Sequence, residues 1–202
     1  VNSSFPDQPM KFYGPGADSG TFDYFTEAIN GKAKKQRSDY TASEDDNVLV
    51  TGISGDKGAI GYFGLAYYLE NKDKLNAVAI VAKDKTGGVL PSEATVMDGT
   101  YQPLSRPLFI YVNAAKGAFD KDVKAFVEYY IANAPKLVKE VKYVPLNAGE
   151  YAAVSKHWTS KKTGSGFGGV PEVGVKIEDL IKRIKDSTCV ADRERIEKAF
   201  MG

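Results

Sequence analysis

Apolar and polar positions follow two different periods near the start of the chain. Residues 10–13 (MKFY) form a short apolar run that leads into a Gly-Pro-Gly turn. Phe22, Phe25 and Ile29 then recur at helical spacing, and Asn30-Gly31 is typical of a helix end. This pattern predicts a strand, a glycine-rich turn and a helix as the first structural unit.

The alternation of short apolar runs with amphipathic segments continues along the chain. Strands are predicted at 10–13, 59–63, 77–81 and 107–112, with a further candidate at 141–146. Helices are predicted near 20–30, 44–54, 65–71, 91–98, 119–133, 148–156, 176–185 and 191–200. Ser43 and Asp46 fit a capping box for the second helix. Strands that alternate with helices predict an α/β fold.

Composition narrows the functional class. The net charge is +1, from 27 basic and 26 acidic side chains that are interspersed along the chain, which argues against a nucleic-acid partner. The single cysteine, Cys189, and the single histidine, His157, make a cysteine zinc site or a Ser-His-Asp triad hard to build. The chain starts at Val1 without an initiator methionine, so we expect a processed or trimmed product.

The segment GPGADSGT, residues 14–21, carries the clearest candidate chemistry. A strand delivers the chain into a glycine-rich turn, and the turn opens a helix at Ser19-Gly20-Thr21. The first amides of a helix lack internal partners, and the helix dipole adds partial positive charge there. Two hydroxyl side chains and a glycine that allows close approach suit this helix start to a tetrahedral oxyanion.

Other interpretations of this segment remain open. A plain capped helix after a turn would have the same residues. A Walker A loop is a poor match because no lysine follows the glycines, and a hydrolase nucleophile elbow lacks its Gly-x-Ser-x-Gly frame.

A second segment, RSDYTASEDDN at residues 37–47, contains one basic and four acidic side chains. The guanidinium of Arg37 could fork onto two oxygens of an oxyanion. The nearby carboxylates could hold this arginine in place or accept a proton from a protonated oxyanion. They are Asp39, Glu44, Asp45 and Asp46. For Asp46, a favourable charge at a helix start is the simpler interpretation.

Four motifs, in this order, resemble the phosphate-binding proteins of high-affinity phosphate ABC importers. They are YGPGADSGTFDYF at residues 13–25, RSDYTASEDDN at 37–47, GAIGYFG at 58–64 and PLSRPLFIYV at 103–112. The resemblance weakens after Leu146. It implies a periplasmic-binding-protein type II-like α/β fold, with two lobes joined by crossing strands and phosphate bound in the cleft.

The resemblance also implies ligand residues, partners and a cellular location. It places Ser19, Gly20 and Thr21 on phosphate, with Asp18 beside them. Many relatives carry an arginine shortly before Ser-Gly-Thr, and this chain does not, so Arg37 is the substitute candidate and Arg106 a weaker one. No cofactor is implied, and the expected partners are inorganic phosphate and the membrane permease of an ABC transporter, at the periplasm or cell surface.

Family members begin with a long segment that builds most of the first lobe, and nothing in this sequence corresponds to it. We therefore expect residues 1–112 to form part of the second lobe, with the anion loop and a crossing strand. Residues 113–162 would form the C-terminal part of the first lobe, and 163–202 a glycine-rich link with a variable helical tail. A missing N-terminal segment or a second chain would complete the receptor.

Three other functions compete with phosphate capture. The chain could be a receptor for another oxyanion, such as sulfate or molybdate. It could be a hydrolase or phosphotransferase that uses Ser19 as nucleophile. It could also be an adhesin or scaffold on the same fold, in which the anion site is incidental.

Overall fold

The computed structural model describes residues 4, 7–83, 85–113, 120–164, 166–167 and 172–185, with side chains to residue 183. The predicted helix at 191–200, Cys189 and part of the predicted glycine-rich link lie outside the described residues. The chain divides into two compact units, Val1–Ser92 and Glu93–Gly202. The predicted lobe boundary at residue 112 falls within the second unit, and the assignment of residues to lobes stays a prediction.

The first unit alternates strands with helices, as the sequence predicts. In chain order it contains β1 (Lys11–Gly14), α1 (Gly20–Asn30), β2 (Thr41–Ala42), α2 (Asp46–Ser54), β3 (Ala59–Gly61) and α3 (Leu65–Glu70). Its buried apolar side chains come from both long helices and from the segment after α3: Phe22, Leu49, Val50 and Leu75.

The three strands form a parallel sheet in the order β2-β1-β3. Tyr13 of β1 lies opposite both Thr41 of β2 and Gly61 of β3. The chain passes from β1 to one neighbour through α1 and reaches the other side of β1 through α2. Because all three strands run in the same direction, their carboxyl ends meet at one edge of the sheet.

Helix α1 confirms the prediction for residues 20–30. Ser19 is its N-cap, and its Oγ accepts a hydrogen bond from the Thr21 amide at 3.1 Å. Gly31 ends the helix in the left-handed conformation, with φ of 71°. Phe25 stacks on Tyr62 after β3, with ring centroids 3.7 Å apart, so α1 is fixed to the loop that follows β3.

Helix α2 begins two residues later than predicted. The N-cap is Asp45, whose Oδ1 accepts a hydrogen bond from the Asn47 amide at 2.9 Å. The capping box assigned to Ser43 and Asp46 is therefore wrong. Ser43 Oγ instead accepts from the Asp45 amide at 3.1 Å, in a turn before the helix. A run of Ser, Glu, Asp and Asp offers several possible caps, and sequence spacing alone does not choose among them.

Three predicted strands are wrong. Residues 77–81 contribute only an isolated antiparallel bridge, from Ile80 to Val89. Residues 107–112 and 141–146 are irregular, although both are described. An apolar run becomes a strand only when a neighbour completes its hydrogen bonds, and the described residues offer no such neighbour here.

The regular secondary structure of the second unit is helical over its described residues. It contains α4 (Glu93–Met97), α5 (Lys121–Glu140), α6 (Ala148–Thr159) and α7 (Ile177–Lys185). Helix α5 continues past Pro135, beyond its predicted end at 133, and Ala134 beside this proline is buried. Among the described residues, no helix is long and apolar enough to cross a membrane.

Candidate anion-binding site

The candidate site lies at the carboxyl edge of the parallel sheet. Helices α1, α2 and α3 begin at Gly20, Asp46 and Leu65, each a few residues after the strand that precedes it. Their amino termini therefore start from the same edge. The first connection leads from the central strand β1 to β2 on one side, and the second leads from β2 to β3 on the other side of β1. Ligands of open α/β sheets bind at such switch points.

Residues 15–19, between β1 and α1, are defined here as the anion loop. Pro15 and Gly16 are buried, whereas Asp18 and Gly20 are exposed. The Ser19 hydroxyl accepts from the Thr21 amide, which leaves its own O–H able to donate to a ligand. First-turn amides of α1 and the helix dipole add further favourable interactions for an anion.

The segment before α2 holds the anion loop in shape. Tyr40 Oη donates to the Pro15 carbonyl at 3.2 Å, and its ring stacks on Phe22 with centroids 6.4 Å apart. The Ser43 amide donates to the Gly14 carbonyl at 3.2 Å. The loop after β1 is therefore fixed by residues that lie more than 20 positions further along the chain.

Two carboxylates of this segment reach neighbouring loops. Glu44 Oε1 accepts from the Asp18 amide at 3.3 Å, and Asp46 Oδ2 accepts from the Gly64 amide at 3.4 Å. Burial, with smaller contributions from the charges of Asp45 and Glu44, raises the pKa of Asp46. Asp46 thus links the start of α2 to the loop after β3, in addition to its place in the first turn of a helix.

Arg37 lies against strand β1. Its guanidinium is 4.0 Å from the Phe12 ring centroid and forks onto Asp39, with Nε–Oδ1 of 2.5 Å and Nη2–Oδ2 of 2.6 Å. The prediction that a carboxylate holds this arginine is confirmed for Asp39. Arg37 lies before β2 and is not part of the anion loop. Its contact with a bound anion therefore stays a prediction.

The remaining candidates belong to different units of the chain. Asp18 is part of the anion loop and gives its backbone amide to Glu44, while its side chain is exposed. Arg106 is exposed in the second unit. His157 is in α6 of that unit, where burial lowers its pKa. Within the described ranges, no group of three or more His, Cys, Asp or Glu side chains is arranged to hold a metal ion.

A cavity of about 410 Å³ lies beside the first turns of α2. Its walls are Tyr13, Asn47, Val48, Thr51 and Gly52, none of which belongs to the anion loop. It lies over the face of the sheet instead, and we assign it no role in anion binding.

Sequence reasoning found the Ser19-Gly20-Thr21 element but missed how it is supported. Tyr40 was not singled out, and Glu44 was considered only as a partner of arginine or of a protonated ligand. The sequence signal was present, since both lie in the segment at 37–47. Contacts over 25 and 26 positions cannot be derived from local pattern.

A parallel sheet with helices that begin at its carboxyl edge defines an α/β domain. Residues 2–134 match the PBP superfamily domain, and the chain belongs to this superfamily. The match covers α1, α2 and the whole sheet.

Curated relatives include two proteins named SphX. One, from Synechococcus elongatus, is 53% identical over 184 residues, which cover 90% of this chain and 53% of the relative. The other, from Synechocystis, is 45% identical over 91% of this chain and 54% of the relative. A phosphate-binding protein PstS from Staphylococcus haemolyticus is 39% identical over 71% of this chain and 44% of its own length.

A solved structure shows the same fold. It is described as a possible phosphate binding protein from Planctomyces limnophilus, with a TM-score of 0.67 and 44% identity. The match covers 80% of this chain and 57% of that one. The chain thus spans about half the length of the relatives it matches.

Proposed function

We propose that this chain forms part of an extracytoplasmic receptor that captures inorganic phosphate and delivers it to the permease of an ABC transporter. The observation that carries the proposal is the anion loop at the start of α1, in which Ser19 caps the helix and leaves its hydroxyl proton able to donate. Relatives and a structural neighbour whose descriptions name phosphate support the choice of ligand.

In this proposal, phosphate is held by Ser19, Gly20 and Thr21. Backbone amides and hydroxyl groups donate to its oxygens, and the positive end of the α1 dipole lies beside its charge. Asp18 contributes through the backbone of the loop. Arg37 is already paired with Asp39, which neutralises much of its charge, so we expect it to contribute less than the helix start.

Capture requires no chemistry on the ligand. Ser19 Oγ accepts a hydrogen bond from a backbone amide, and the first unit contains no histidine that could act as its general base. Among other oxyanions, sulfate or molybdate is the competing ligand. A missing N-terminal segment or a second chain would supply the remaining donors.

Replacement of Thr21 by Val tests this proposal. Valine keeps the shape of threonine but removes a hydroxyl, and a hydrogen bond to a charged group contributes roughly 1.5–3 kcal/mol, so phosphate affinity should fall about tenfold or more. Titration with inorganic phosphate, followed by NMR shifts of the amides at residues 18–22, measures this directly.

Thr51→Val provides the control, because Thr51 bonds within α2 and lies outside the anion loop. It should leave phosphate binding unchanged. If phosphate shifts no amide of residues 18–22 in the wild-type chain, or if Thr21→Val binds phosphate as wild type does, the loop is only a helix cap. A larger response to sulfate or molybdate would favour the alternative ligand.

A further inference from the structure

Glu44 contacts the anion loop but belongs to a different segment of the chain. Its side chain comes from the segment between β2 and α2, and Oε1 accepts from the Asp18 amide at 3.3 Å. Asp18 directly precedes Ser19, the N-cap of α1. A carboxylate from a different element is therefore bonded one residue before the proposed phosphate donors.

Gly16 provides the space for this carboxylate. A Cβ added at Gly16 would overlap the carboxyl group of Glu44. The φ angle at Gly16 is outside the left-handed region, so the backbone does not itself require glycine. The absence of a side chain at residue 16 is needed for the position of Glu44.

The charge of Glu44 is felt by its neighbours. It contributes to the raised pKa of Tyr40 and to that of Asp46, although burial is the larger cause at both groups. Asp18 is bonded to Glu44 through its backbone amide, and Asp45 follows Glu44 in the chain. These four neighbours are acidic or neutral, so the carboxylate of Glu44 adds negative charge beside the loop.

We propose that Glu44 is a positioning residue of the anion loop, and that its fixed negative charge makes capture of a doubly charged oxyanion weaker than capture of a singly charged one. The positioning role rests on the hydrogen bond from the Asp18 amide and on the space at Gly16. The charge effect rests on the proposed function, because it needs an anion at the start of α1.

The positioning role is tested without any ligand. In the wild-type chain, the bond to Glu44 should protect the Asp18 amide from hydrogen exchange. Glu44→Gln should keep this protection, since an amide oxygen also accepts a hydrogen bond. Glu44→Ala and Gly16→Ala should both shift the Asp18 amide and increase its hydrogen exchange, the second by displacing the carboxylate.

The charge effect is tested by measuring the affinity for inorganic phosphate at one pH below and one pH above the second pKa of phosphate. Removing a like charge at an exposed position should raise affinity for the doubly charged form about two- to fivefold in Glu44→Gln. The gain for the singly charged form should be smaller. Glu70→Gln removes the same charge at the exposed end of α3 and should change neither affinity.

An Asp18 amide whose shift and hydrogen exchange are unchanged by both Glu44→Ala and Gly16→Ala would overturn the positioning role. Equal affinities in wild type and Glu44→Gln, or a loss in Glu44→Gln, would overturn the charge effect. If the wild-type and Glu44→Gln chains both fail to bind phosphate, the proposed function fails and the charge effect with it. The Asp18 measurements would still decide the positioning role.

Discussion

At the scale of single residues, the helix dipole and burial have opposite effects on the ionised form of Asp46. A carboxylate in the first turn of a helix is favoured by the helix dipole. Asp46 is also half-buried, and burial raises its pKa despite the hydrogen bond from the Gly64 amide. A folded-state pKa above the unfolded value means that the native state binds this proton more tightly, so stability is greatest when Asp46 is protonated.

We therefore expect Asp46→Asn to stabilise the first unit at neutral pH. The asparagine oxygen can still accept from the Gly64 amide but carries no charge to desolvate. The gain should be absent below the unfolded pKa of aspartate and should appear as the pH rises through the raised pKa of Asp46. Urea unfolding at several pH values, followed by NMR signals of residues in α1 and α2, measures this difference.

Asp56→Asn is the control with the opposite sign. Lys11 and the Gly58 amide lower the pKa of Asp56, so its ionised form stabilises the fold. Asp56→Asn should lower stability at neutral pH, and this loss should disappear as the pH falls through the lowered pKa. The same sign of pH dependence for both substitutions would contradict this account of Asp46.

Whether a residue of the candidate site could be predicted depends on how far away its contact partner lies in the sequence. Ser19 and Thr21 could be predicted, because the N-cap bond spans only two positions and the Ser-Gly-Thr pattern contains both partners. Tyr40 and Glu44 could not, because each meets the loop through the sheet order β2-β1-β3. Local periodicity carries no information on which strands become neighbours.

At the scale of elements, helices were predictable where their caps were unambiguous. Helix α1 has one strong N-cap and a glycine in the left-handed conformation at its end, and its bounds agree with the sequence. Helix α2 has several acidic residues at its start, and the cap was assigned to the wrong residue. The predicted strands that failed have no described neighbour that pairs along their length, and a local pattern carries no information on such neighbours.

The assignment of Asp45 as the α2 N-cap has a measurable consequence. Asp45→Ala should lower the free energy of unfolding of the first unit by about 0.5–2 kcal/mol, because the Asn47 amide loses its acceptor. Asp45→Asn should cost much less, since asparagine caps helices equally well. Urea unfolding of the three chains compares these values. A larger loss from Ser43→Ala than from Asp45→Ala would restore Ser43 as the cap.

At the scale of the whole molecule, the segment at 107–112 exposes apolar side chains that residues present only in the longer relatives could cover. It was predicted as a crossing strand, and in the structure its side chains Leu108 and Tyr111 are 64% and 78% exposed. Large apolar side chains at this exposure within one short segment are typical of an interaction surface. This chain spans about half the length of its relatives, so they contain additional residues that could cover such a segment.

The last prediction concerns binding by this chain with and without that additional portion. Two-lobed receptors donate to their ligand from both lobes, and the anion loop supplies only one side. Each missing hydrogen bond to a charged ligand forfeits roughly 1.5–3 kcal/mol, so two missing donors should weaken phosphate binding about a hundredfold or more. Calorimetry with phosphate on the chain alone should therefore give weak binding.

Addition of the portion of Synechococcus elongatus SphX that this chain does not match should strengthen phosphate binding, and Leu108→Ser with Tyr111→Ser should reduce that gain. Tight phosphate binding by the monomeric 202-residue chain would contradict the prediction and would mean that the anion loop needs no second lobe.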